Sequence, residues 1–154
     1  MIQLNEKKAS EPTEMPARRS SQEEVSVKEA VERAAAALTQ LLNGKWSEAT
    51  KAAIEAADGR KDKQNTICKS ASCLYVACAG ERVLYVGETS KSIKRRFIVD
   101  GSGSHKEDCS IWYVQMTHVQ YVCFGEAELP EIHRKLLEQA LSIQLKPEFY
   151  RKRQ

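Results

Sequence analysis

The apolar positions change their period along the chain. Ala30, Ala34, Ala37, Leu38, Leu41 and Leu42 recur at helical spacing and make one amphipathic stripe. Ser26, followed three residues later by Glu29, reads as a capping box at its start. Asn43-Gly44 reads as its stop. A second, alanine-rich helix is predicted over residues 47–57, ended by Asp58-Gly59. These two helices are expected to form a hairpin, with Lys61, Asp62, Lys63 and Gln64 as a polar link to the rest of the chain.

From Ile67 the pattern turns to short β-rich runs. Residues 73–78 and 82–87 are expected to form a hairpin around Gly80. A three-residue loop over 79–81 would set Cys78 opposite Arg82 and Tyr75 opposite Tyr85. It would also gather Leu74, Val76, Leu84 and Val86 on one face, and Tyr75, Ala77, Tyr85 and Gly87 on the other. A helix capped by Thr89 or Ser90 is predicted next, with Ile93 and Phe97 inward and Lys91 and Arg95 outward. After the loop Gly101-Ser102-Gly103-Ser104, residues 111–115 and 119–124 read as further strands. The last helix is predicted from Pro130, with Ile132, Leu136, Leu137, Ala140, Leu141 and Leu145 on its buried side, and Pro147 ending it. The expected fold is therefore α+β: a small antiparallel sheet of three or four strands flanked by helices and preceded by a helical hairpin. Its expected divisions are a disordered polar leader over 1–24, the hairpin and linker over 25–66, and a compact domain over 67–154.

Composition narrows the classes. The 154 residues are 42% hydrophobic and 29% charged, enough for one modest core. No apolar run approaches the ~18–20 residues that span a bilayer, so no membrane is expected as a partner. The start lacks a charged-then-apolar leader, and a cytoplasmic location is the expectation. Residues 1–66 carry 11 basic and 11 acidic side chains, so the net charge of +3 belongs to the second part of the chain. There it clusters at Lys91, Lys94, Arg95 and Arg96 and at Arg151, Lys152 and Arg153, a pattern suited to a phosphate backbone and equally to a solvated helix face. Five cysteines (Cys68, Cys73, Cys78, Cys109 and Cys123) are expected as free thiols in a reducing compartment. Cys68, Cys73 and Cys78 with His105 or Cys109 offer a weaker alternative, a zinc-stabilised interaction protein.

The chemistry-bearing residues form a set. A phenol can relay a proton from water when a metal or cation lies nearby. A guanidinium can hold a phosphate and its developing charge. One carboxylate can anchor a divalent ion that keeps most of its waters. Tyr75, Tyr85, Arg95 and Glu138 supply these parts, while each could instead be an ordinary strand aromatic, a solvated cation or a helical ion-pair partner of Arg134.

In order and spacing these residues resemble the GIY-YIG nuclease family. Leu74-Tyr75-Val76 and, ten positions on, Tyr85-Val86-Gly87 are similar to its paired motif, and Arg95 falls eight residues after Gly87. The segment from Leu137-Glu138 to Lys146-Pro147 resembles the family's later helix, as in the incision nuclease of nucleotide excision repair and in small restriction and homing endonucleases. The likeness covers about residues 70–151. It implies a metal-dependent endonuclease using Mg²⁺ or Mn²⁺ on nucleic acid, DNA foremost. In that likeness Tyr75 is the general base or water-orienting group, Tyr85 its partner, Arg95 the phosphate clamp, and Glu138 the metal ligand. His105 matches a loop histidine of several members. Gly87, Lys91, Lys94 and Arg96 would bind substrate, and Glu88 borders the site. Cys73 replaces the family's first glycine, and Tyr150 stands where an asparagine is common. The second departure supports an alternative, a GIY-YIG-fold nucleic-acid-binding module with weak or no catalysis. One such site cuts one strand, so duplex cleavage would take a homodimer or successive nicks.

Overall fold

A computed structural model describes residues 25–99, 106–125 and 127–150. The predicted leader over 1–24 and the terminal basic cluster lie outside them. Helix α1 (Val27–Gln40) starts at the expected capping box. The Glu29 N–H donates to Ser26 Oγ at 3.2 Å and the Ser26 N–H to Glu29 Oε2 at 3.1 Å, closing two otherwise unmet backbone donors. Then come strand β1 (Ser47–Thr50), helix α2 (Lys51–Ala56), strands β2 (Ser72–Ala79) and β3 (Arg82–Thr89), a π-helical turn (Arg95–Val99), helix α3 (Lys106–Gln115), strand β4 (His118–Phe124) and helix α4 (Glu131–Leu145).

The four strands form one antiparallel sheet in the order β1-β4-β2-β3. The expected α+β architecture is present, with residues 47–50 as a strand where the second predicted helix was to begin. Residues 47–50 pair with β4, with Ala49 opposite Val119 and buried. The bare edge of β4 gains a partner this way, and that pairing outweighs the helix propensity of alanine. Thr50 then caps the short α2 by accepting the Ala53 N–H at 3.1 Å, and α1 packs along α4 instead. A second correction concerns residues 111–115, expected as a strand. They complete α3, whose turn brings Trp112 and, just beyond it, Met116 inward. Their β-rich composition gave way to the burial of a large indole.

The β2–β3 hairpin also departs from the expected register. Ala79 faces Arg82 across the two-residue turn Gly80-Glu81, where Gly80 takes φ 59°. A bulge comes next: Cys78 faces Val83 and Ala77 faces Tyr85, leaving Leu84 as the extra residue. The bulge returns Tyr75, Ala77, Tyr85 and Gly87 to one face, although Tyr75 lies opposite Gly87 rather than Tyr85. Leu84 is turned by it into the tyrosine-bearing core rather than joining Leu74, Val76 and Val86.

Each sheet face carries its own core. One holds Leu74, Val76, Val86, Val122 and Phe124 against Leu137 and Leu141 of α4 and against Leu42. The other holds Tyr75, Ala77, Leu84, Val119 and Tyr121 under Ile54, Ile67, Ile93, Phe97 and Trp112. The inward pair Ile93 and Phe97 is as expected, but Ser92, not Thr89 or Ser90, caps that turn by accepting the Arg95 N–H. The cysteines correct another expectation. Cys73 and Cys123 face each other across β2 and β4, with Cα atoms 4.2 Å apart, and are joined in a disulfide. Cys68 and Cys78 are free, and burial, with the nearby Glu48 carboxylate second, pushes the Cys78 thiol pKa up. Cys73 and Cys78 serve opposite cores, as their odd spacing on a strand requires, so they do not converge on one zinc ion.

Candidate active site

Tyr75 sits on the central strand β2 and is fully enclosed. Its phenol crosses to the edge strand and lies on Gly87. A Cβ built at Gly87 would overlap Tyr75 Cζ and Oη and come within 2.9 Å of Tyr85 Cε1. Gly87 is therefore required for space, which strand alternation between Tyr85 and Gly87 creates. The Tyr75 and Tyr85 ring centroids are 6.2 Å apart. Phe97 meets Tyr75 edge-on at 5.1 Å, and Trp112 stacks on Tyr85 at 4.9 Å with the planes 2° apart. The aromatic cluster thus locks both phenols through contacts drawn from four elements. Trp112 packs on the sheet from α3, as its large apolar ring predicts.

The guanidinium at the phenol belongs to Arg96. Its Nε donates to Tyr75 Oη at 3.1 Å, from a half-buried side chain. Arg95, expected as the phosphate clamp, is exposed on the same turn. The sequence spacing favours Arg95 by family likeness, whereas the widened π turn aims its neighbour at the pocket. Lys94 departs further from its substrate-binding expectation. Its Nζ donates to the carbonyl oxygens of Ile54 (2.9 Å) and Glu55 at the C-terminal end of α2, where a cation meets the negative end of the helix. Lys91 is exposed, and its N–H donates to Thr89 Oγ1 at 3.1 Å. His105 and the side chain of Cys109 lie outside the described residues.

Glu138 is carried on α4, over the sheet face opposite the Tyr75 ring. The helix runs antiparallel to β3. Arg134 Nε bonds Glu88 Oε2 at 3.1 Å near one end, while the Glu148 and Phe149 N–H groups donate to the Val83 and Leu84 carbonyls beyond the other. Glu138 lies one turn past Arg134 on α4, about 6 Å along the axis. It is half-buried. The Tyr75 phenol reaches Gly87 of the edge strand from the other face. Glu88 is not a spare metal ligand: with Arg134 it forms a buried ion pair whose other donor, Arg134 Nη1, goes to the Leu129 carbonyl at 3.0 Å. By sequence spacing Arg134 is an alternative partner for Glu138, one turn along the same helix; its bond to Glu88 depends on how α4 crosses β3.

Among the described residues no three His, Cys, Asp or Glu side chains gather as a ready-made metal cage. Glu138 on α4 offers one carboxylate, a hard oxygen ligand. This fits a Mg²⁺ or Mn²⁺ ion that keeps most of its waters and does not fit zinc. Tyr150 is 63% exposed and, with Gln139, Ser142 and Ile143, lines an open hollow of about 280 Å³ beside α4. Tyr113, on α3, has its phenol pKa pushed up to about 12 by burial and by the charge and hydrogen bond of Glu55 at 3.2 Å. It is held there by Lys51, whose Nζ lies 4.4 Å from the ring centroid.

Compared with protein-family models, with curated proteins and with solved structures, the chain matches none. No helix among the described residues is long and apolar enough to cross a membrane.

Proposed function

We propose that the chain is a metal-dependent endonuclease of GIY-YIG type that hydrolyses phosphodiester bonds in nucleic acid, DNA foremost. The observation that carries this reading is the Tyr75 phenol, seated on Gly87, beside Tyr85 and bonded to a guanidinium at 3.1 Å. An ordinary core tyrosine needs neither a glycine cut away beneath its hydroxyl nor a half-buried arginine bonded to it.

In this reading Tyr75 orients the attacking water, and Tyr85 fixes the phenol's position. Arg96 is a positioning residue that aims Tyr75. Arg95, with Lys91, meets the phosphate from the exposed side of the turn, where a planar guanidinium can hold two phosphate oxygens. Glu138 would hold the Mg²⁺ or Mn²⁺ ion, which when bound supplies positive charge to the phosphate. One such site cuts one strand, so cutting a duplex takes two copies or two successive nicks.

The enclosure of Tyr75 favours a second reading, a module that holds nucleic acid without cleaving it. Plasmid nicking with Mg²⁺ separates the two. The nuclease reading expects nicking by the wild type and a loss of about a hundredfold or more in Glu138→Ala and Tyr75→Phe. Equal nicking by wild type and Glu138→Ala would remove the metal ligand. DNA retention with no nicking under Mg²⁺ or Mn²⁺ would establish the binding module.

A further inference from the structure

The loop between α2 and β2 supplies a basic surface that the motif residues do not include. Arg60, Lys61, Lys63 and Lys69 are all exposed on it. Among the described residues none of these four is in an ion pair. The loop's two acids turn inward to the backbone: Asp58 Oδ1 accepts the Arg60 N–H at 2.9 Å, and Asp62 Oδ1 accepts the Gln64 N–H at 3.0 Å. Asn65 does the same for Ile67 at 2.9 Å. Three such side-chain turns in succession hold the loop in shape. Its ends meet, since a Cβ at Gly59 would lie 3.2 Å from Cys68 Cβ. The loop thus keeps four outward cations against two acids engaged by its own amides.

This surface is stitched to the Tyr75 pocket by one residue. The Lys94 N–H donates to the Ile67 carbonyl at 2.9 Å, and its Nζ holds the end of α2 from which the loop departs. Two residues on, Arg96 bonds Tyr75. The turn that aims an arginine at the phenol therefore also fixes the basic loop beside it.

We propose that the 58–70 loop is a backbone-tracking arm for duplex DNA, whose Arg60, Lys61, Lys63 and Lys69 contact successive phosphates next to the strand held at the Tyr75 pocket. The inference rests on the nucleic-acid reading above. Cations on a surface loop with no groove-entering helix or strand suit phosphates rather than base edges, so this binding is independent of sequence and sensitive to salt.

The test is binding of a short labelled DNA duplex to the full chain, with a chelator present so that binding is read apart from cleavage. Affinity is measured between about 50 and 200 mM NaCl. The variants are Arg60→Gln/Lys61→Gln/Lys63→Gln and, as a control, Lys135→Gln on α4. The loop variant should bind at least about tenfold more weakly at low salt. Its slope of log affinity against log salt should be shallower by about 2–3, near 0.9 for each lost contact. Lys135→Gln should match the wild type. An unchanged slope in the loop variant, or an equal loss in Lys135→Gln, overturns the arm while leaving the nuclease reading intact. A wild type that does not bind the duplex at low salt overturns both. The expected binding pattern together with no nicking under Mg²⁺ supports the arm and refutes the nuclease.

Discussion

The substitution Gly87→Ala probes the geometry on which the site depends. The added Cβ would overlap the Tyr75 phenol and crowd Tyr85 Cε1 at 2.9 Å. Tyr75 cannot step aside cheaply, because it is fully enclosed, with Phe97 edge-on at 5.1 Å. Overpacking of such a site costs about 1–3 kcal/mol, and alanine's better fit to a strand offsets only about 0.5–1 kcal/mol of it. The mid-range net of about 1–2 kcal/mol amounts, in a chain of this length, to a fall in Tm of roughly 2–8 °C. Urea unfolding followed by circular dichroism and by the fluorescence of Trp112, which stacks on Tyr85, should show a lower midpoint at unchanged slope. The decisive step is the same change in a Tyr75→Leu background. Leucine ends before the overlapping phenol atoms, so Gly87→Ala should there become neutral or mildly stabilising. The cycle should therefore show coupling of about 1–3 kcal/mol between the two positions. Additive effects, or a Gly87→Ala protein as stable as the wild type, would mean that the phenol does not rest on Gly87, and the proposed pocket would lose its floor.

The same contacts set other outcomes. Tyr75→Phe leaves the half-buried Arg96 Nε without its phenol acceptor and should cost about 1–3 kcal/mol in urea unfolding. Arg134→Met strands Glu88 in a buried setting and should cost about 3–5 kcal/mol, whereas the paired change Arg134→Met/Glu88→Leu should recover much of that loss; equal costs would show that the ion pair is not enclosed. The Tyr113 phenol titrates near 12 in the folded chain against about 10 when unfolded, so its contribution is complete below pH 10 and is lost as pH rises toward 12. Stability should therefore fall across that interval in the wild type and less so in Tyr113→Phe, with absorbance at alkaline pH reporting the phenolate.

Local signals were legible wherever the chain answers to its own neighbours. The capping box of Ser26 and Glu29, the stop at Pro147 and the alternation of β2 and β4 arise from hydrogen bonds and periods a few residues long. So does the sharing of one face by Tyr85 and Gly87. Tertiary structure decided the rest. Residues 47–50 became a strand because β4 had an open edge, and residues 111–115 became a helix because an indole had a core to enter. A bulge at Leu84 replaced a longer turn and still restored the tyrosines' common face. Arg96 rather than Arg95 reached the phenol, Lys94 was drawn to the end of α2, and Glu88 claimed Arg134. Each of these choices sets residues distant in the chain against one another, and the free energy that settles them exists only once two elements have met.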